Sequence, residues 1–132
     1  MPEQRVLAVD FDGVIANYDG WKGDDHFGTP LPGVAEALQE LKKRGWLIVI
    51  WTTRGNVEQL RNYLNCFGIP YDSINEVSSR EYAKQKISAD VYLDDRGLRF
   101  EGVWSAKLID EIDHFKTWWE TEQSHESFVP RP

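Results

Sequence analysis

Two aspartates, Asp10 and Asp12, stand one residue apart where an apolar run ends, in the stretch Val9-Asp10-Phe11-Asp12-Gly13. Carboxylates rarely adjoin a buried segment unless something pairs with them. A second acidic pair, Asp94-Asp95, follows another short apolar run, Val91 to Leu93. Between the two lies Trp46 to Thr52 (WLIVIWT), an apolar run that ends on a hydroxyl. Carboxylates so placed can attack an electrophile, pass protons or ligate a hard cation. Those uses require the three runs to end at one place.

The surrounding pattern supplies such a place. Val6-Leu7-Ala8-Val9 is continuously apolar, which suits a parallel strand covered on both faces, here Arg5 to Asp10. Residues 12 to 32 are rich in Gly, Asp and Pro and read as loop. Gly33 to Arg44 reads as a helix with Val34, Leu38 and Leu41 on one face, stopped by Gly45. Trp46 to Thr52 is the second strand. Asn56 to Phe67 is the second helix, with Val57, Leu60, Leu64 and Phe67 on one stripe and Gly68 as its terminator. Ile74 to Val77 reads as a short strand, Ser79 to Lys86 as a helix and Val91 to Leu93 as the next strand. Ala106 to Glu120 reads as the last helix, with Leu108, Ile112, Phe115 and Trp119 facing inward. Strands alternating with helices predict an α/β fold, a three-layer, doubly wound, mostly parallel sheet of Rossmann-like form. Ligands of such sheets bind beyond the carboxyl ends of the strands, where Asp10, Thr52 and Asp94 each fall. Residues 1 to 121 form one domain, and the polar, proline-tipped 122 to 132 is a tail.

Composition narrows the function. The 132 residues fit one domain, and 41% are hydrophobic, enough for a core. The net charge of −7 disfavours nucleic acid as a partner and leaves only a small local basic site as a route to one. It also implies that an anionic substrate needs a cation to help it in. The single cysteine, Cys66, rules out an internal disulfide and points to a reducing, cytoplasmic location. It reads as a packing residue on the second helix. No apolar run is long enough for a membrane span or signal peptide.

Four pieces of the chain resemble the haloacid dehalogenase superfamily of aspartate-based phosphatases. Asp-Phe-Asp-Gly-Val (10 to 14) is similar to its first motif, Thr52 to its second, Lys86 to its third and Asp94-Asp95 to its fourth. They occur in the family's order over residues 5 to 95. The resemblance implies a Mg²⁺-dependent phosphatase that hydrolyses phosphate monoesters through an aspartyl-phosphate. Asp10 would be the nucleophile. Asp12 would protonate the leaving oxygen and later activate water. Mg²⁺ would be held by Asp10, the backbone carbonyl of Asp12, and Asp94 or Asp95, with Asp95 favoured as the direct ligand. Thr52 would donate its hydroxyl and a backbone N–H to a phosphoryl oxygen. Lys86, or Lys84 in its place, would neutralise Asp10 and the phosphate together. Thr53, Arg54 and Arg96, beside the second and fourth motifs, are candidates for gripping phosphate.

Family members often carry a cap domain, yet neither the interval from Asp10 to Thr52 nor that from Thr52 to Lys86 is long enough to fold one. The loop from 17 to 33, with Trp21 between glycines, is the only sizeable flap. An uncapped site admits a large phosphorylated substrate or a partner subunit, and the oligomeric state is left open. The stretches TTR (52 to 54) and DDR (94 to 96) also resemble those of phage-type 3′-phosphatase domains, which makes nucleic-acid ends an alternative substrate. A phosphotransferase, or a non-catalytic protein on the same fold, are further alternatives. A signalling receiver domain fits poorly, because its phosphorylated aspartate should end a middle strand and here that strand ends in Thr52.

Overall fold

The computed structural model describes residues 4–76 and 87–121. Four strands form one sheet: β1 (Val6–Asp10), β2 (Leu47–Trp51), β3 (Ser73–Ile74) and β4 (Val91–Leu93). All pairings are parallel, and the order across the sheet is β3-β2-β1-β4. The helices are α1 (Val34–Lys43), α2 (Val57–Cys66) and α3 (Ala106–Asp113), followed by a 3₁₀ turn at Trp118–Glu120. The fold is the expected α/β, Rossmann-like one. The predicted helix over 79–86 and the tail over 122–132 lie outside the described residues.

The runs of β1 and β2 became strands because both of their faces are covered, whereas Val91, Tyr92 and Leu93 of β4 are exposed. Leu7, Val9, Ile48, Ile50 and Ile74 share one core with Leu38 of α1 and with Leu60 and Leu64 of α2. Val6 and Val49 face the other way and meet Ile87. Period-two alternation is hidden in the sequence because both faces are apolar. The α2 stripe stops short of its predicted end, since Phe67 is half exposed and leans on Tyr63. Cys66 is exposed rather than packed.

Two aspartates fix the register of the edge strands. Asp72, just before β3, accepts the Ile48 N–H of β2 at 2.7 Å and pairs with Lys42 of α1 at the same distance. Asp90, just before β4, accepts the Val6 N–H of β1 at 2.7 Å. Each satisfies a main-chain donor that the short neighbouring strand does not reach.

The last helix departs from expectation. It ends at Asp113, and Ile112 and Phe115, expected to face inward, are exposed. Thr117 is buried in an extended conformation, and both its N–H and its hydroxyl donate to Glu120 Oε1, at 3.2 and 2.8 Å. A Thr whose N–H and hydroxyl are both taken by a carboxylate three residues on starts a new capped turn instead of continuing the helix. The chain therefore turns at 114 to 117, which redirects Trp118 and Trp119 toward the end of β1.

Asp72→Ala should leave the buried Ile48 N–H unsatisfied and lower the unfolding free energy by about 1–3 kcal/mol. Urea denaturation checks this, with the denaturant slope unchanged. An unaltered midpoint would mean that the strands alone hold the β2–β3 edge.

Candidate functional site

The sheet order creates the site. From β1 the chain winds outward through β2 to β3 and then returns to the far side of β1 as β4. The crevice at the carboxyl ends of β1 and β4 is thus the point where winding reverses, the preferred ligand position of such sheets. Val9 pairs with Leu93 and Asp10 with Trp51, so Asp10 stands level with Asp94 and one residue short of Thr52. Residues more than eighty positions apart meet through register alone.

Asp10, Asp94 and Asp95 each offer a carboxylate oxygen within 4.8 Å of the others. Among the described residues no lysine or arginine pairs with any of them. Burial pushes the Asp10 carboxyl up from the ordinary 3.8 to about 8, helped by its hydrogen bond with Asp95 and by the charges of Asp94 and Asp95. The Phe11 N–H, 2.8 Å from Asp10 Oδ1, works the other way. Crowded carboxylates without a basic partner among the described residues suit a hard divalent cation such as Mg²⁺, which takes oxygen ligands. Asp94 also accepts the Arg96 N–H at 2.8 Å, which shapes the turn after β4.

Gly13 permits the approach of these groups. Its φ is 85°, and a Cβ there would overlap the Asp95 carboxylate and crowd Trp119 Nε1. The two redirected tryptophans fasten this corner. Trp118 Nε1 donates to the Gly13 carbonyl and Trp119 Nε1 to Asp95 Oδ2, each at 2.6 Å. Sequence reasoning had Trp119 packing inward on a helix and missed this role. The signal was Thr117 with Glu120 three residues on, the pattern of a capping box.

Asp12 borders the same crevice but is paired with a cation. Both its oxygens accept from Arg54, Nε to Oδ2 at 2.8 Å and Nη2 to Oδ1 at 2.9 Å. Arg54, only 6% exposed, also donates to the carbonyls of Asp24 and His26. Its guanidinium lies over the rings of Phe27 and Trp21, at 4.4 and 5.0 Å from their centres. Arg54 was expected to touch phosphate. It instead clamps Asp12 and the loop, with donors on all three nitrogens already used.

Thr52 closes β2 as expected, but its own N–H donates to Asn75 Oδ1 at 2.9 Å and is committed there. Asn75 Nδ2 returns a bond to the Thr52 carbonyl at 3.0 Å. Asn75 has a φ of 57°, a left-handed conformation that asparagine tolerates. Sequence reasoning passed over it inside a presumed strand. Thr52 Oγ1 accepts the Arg54 N–H at 3.1 Å and keeps its own proton to give. Lys86 and Lys84 lie outside the described residues.

Asp10, Asp12, Thr52, Thr53, Asp95 and Arg96 line one cavity of about 410 Å³, with Asp94 and three aromatic residues completing its wall. The 17–33 loop borders it. The base of that loop is held by Asn17 on Thr29, by the Tyr63 hydroxyl on the Gly28 carbonyl at 2.6 Å, and by Phe27 stacked on Tyr63. Its tip carries Trp21, which is 56% exposed and lines the cavity.

These features define an α/β protein with a parallel Rossmann-like sheet and an acidic cluster, suited to a cation, at the point where winding reverses. No protein-family model and no curated protein matches the sequence. A solved structure of a conserved protein from Bacteroides thetaiotaomicron is similar, with a TM-score of 0.61 at 22% identity. The match covers 88% of this chain and 95% of that one, and at this identity the likeness concerns the fold. No helix among the described residues is long and apolar enough to cross a membrane.

Two outcomes follow from the acidic corner. Gly13→Ala should remain folded, as judged by circular dichroism, but displace Asp95 and weaken Mg²⁺ binding by at least about tenfold, the equivalent of about 1.4 kcal/mol. Unchanged affinity in calorimetric titration would separate Gly13 from the cation site. The second concerns pH. Between about pH 4 and 8 the folded, cation-free chain holds a proton on Asp10 that the unfolded chain has released. Its stability should therefore fall as pH rises through that window and level off above it. Mg²⁺ must displace this proton, so its affinity should rise by up to about tenfold per pH unit below pH 8. Titrations at pH 6, 7 and 8 in buffers of different ionisation enthalpy would count the released proton, and a pH-independent affinity would remove Asp10 from the ligand set.

Proposed function

We propose that the chain is a Mg²⁺-dependent phosphatase of the haloacid dehalogenase type, hydrolysing phosphate monoesters through an aspartyl-phosphate on Asp10. The carrying observation is the convergence of Asp10, Asp94 and Asp95 beside Asp12 and Thr52 in one open cavity. Bound Mg²⁺ would supply neutralising charge, so that a carboxylate and a phosphate dianion tolerate each other. Asp10, Asp94 and Asp95 would hold it, with the Asp12 carbonyl as a further oxygen.

Each chemical step then belongs to the chain's own residues. An oxygen of Asp10 attacks phosphorus, the ester P–O bond breaks, and the leaving oxygen takes a proton from Asp12. Asp12 next takes a proton from water as that water attacks the acyl-phosphate, releasing phosphate and restoring Asp10. Arg54 holds one lone pair on each Asp12 oxygen and leaves a second on each for the proton. The clamp sets the direction in which Asp12 faces the cavity. The Thr52 hydroxyl and the Thr53 N–H are the donors this reading assigns to a phosphoryl oxygen, and Arg96 is the cation it assigns to the rim. The resemblance gives Lys86 the task of neutralising Asp10 and phosphate.

The 3′-phosphatase alternative is weaker in this geometry. The arginine of its TTR stretch is occupied by Asp12, and the net charge of −7 offers no broad basic track for a strand. A phosphotransferase would share the nucleophile and differ only in the acceptor.

Asp10→Asn should keep the fold and lose at least about 10³-fold in Mg²⁺-dependent turnover of p-nitrophenyl phosphate, as expected when a nucleophile is removed. Steady-state kinetics beside a melting curve checks it. Retained turnover in the folded variant would overturn the assignment.

A further inference from the structure

We infer that the site selects phosphomonoesters whose alcohol carries a planar aromatic ring, an inference that rests on the phosphatase reading above. The cavity of about 410 Å³ falls in the range of sites that enclose small organic ligands, and it is far larger than a phosphoryl group needs. Its floor is the acidic and hydroxyl set already described. Arg96 and three aromatic residues, Tyr18, Trp21 and Trp51, complete its wall.

Each of these rings is braced from behind. Trp21 lies against the Arg54 guanidinium, 5.0 Å from its ring centre, and Arg54 is itself fixed by Asp12. Tyr18 meets Trp119 edge to face, at 5.0 Å and 87°. Trp51 is tilted against Tyr92 at 5.4 Å. A ring immobilised before binding loses little freedom when a ligand stacks on it. Flat π-faces reward another flat ring, through stacking and edge contacts. A polyhydroxylated sugar gains less from flat ring faces than a second flat ring does. Trp21, more than half exposed despite its contact with Arg54, keeps ring surface bare for such a ligand.

The test compares alkyl phosphates whose leaving groups are alike. Benzyl phosphate, ethyl phosphate and ribose 5-phosphate are turned over by the Mg²⁺-loaded full chain. Benzyl phosphate should exceed both others in kcat/KM by at least about tenfold, from a lower KM, within the range that a stacking contact supplies. That ratio should collapse toward unity in Trp21→Leu and be largely kept in Trp21→Phe, which retains a ring. Equal turnover of the three esters by the wild-type chain would overturn the inference and leave the phosphatase reading standing. A preference that survives both Trp21→Leu and Tyr18→Leu would also overturn it. Hydrolysis of none would remove the phosphatase reading and the inference with it. Inhibition by adenosine 5′-monophosphate and by phenyl phosphonate then distinguishes a ring held on a ribose spacer from one next to phosphorus. If both inhibit less well than inorganic phosphate, the aromatic wall does not bind rings.

Discussion

The bidentate pair between Arg54 and Asp12 ties the molecule together at its working end. Asp12 follows β1, Arg54 follows β2, and the carbonyls that Arg54 also holds belong to the loop over the cavity. Three segments remote in sequence are therefore set by one guanidinium. Its planar fork matches the carboxylate, and the rings of Phe11, Phe27 and Trp21 surround it. Removing either partner of so buried a pair would strand the other's charge. The arrangement also divides labour between the two neighbouring aspartates. Among the described residues, Asp12 is paired with a cation, whereas Asp10 stands among like charges.

That division shapes the acidic corner. Asp10, Asp94 and Asp95 are crowded by strand register, and their repulsion is met partly by a proton and partly by hydrogen bonds from Phe11 and Trp119. A fold gains nothing in stability from such crowding. It persists because the backbone supports it independently, through Asp90 on β1, Asp72 on β2 and the missing Cβ of Gly13. A cation binding there would relieve a strain already present in the scaffold.

Much of this was legible in the sequence. Continuous apolar runs marked the strands, and the rule that ligands sit at strand carboxyl ends placed Asp10, Thr52 and Asp94 together. The parts that escaped are those decided by competition between local and distant bonds. Arg54 could be placed near the site, but a free phosphate and a buried carboxylate look alike to an arginine in a sequence. Asn75 bonds the main chain of Thr52 and Thr117 bonds the Glu120 carboxylate, each overriding the regular element around it, and a hydrophobic stripe cannot report that. The break at Thr117 then carried Trp118 and Trp119 to the site, so one missed cap concealed two contacts.

The bond from Trp119 to Asp95 has an optical consequence. An indole whose N–H faces a carboxylate emits according to the charge it faces, because its excited-state dipole responds to the local field. Neutralising Asp95 with a bound cation, or shifting it by 1 Å, alters that field at once. The chain thus holds a native fluorophore beside its own acidic corner, one of six tryptophans, and its share of the emission changes with the state of those carboxylates.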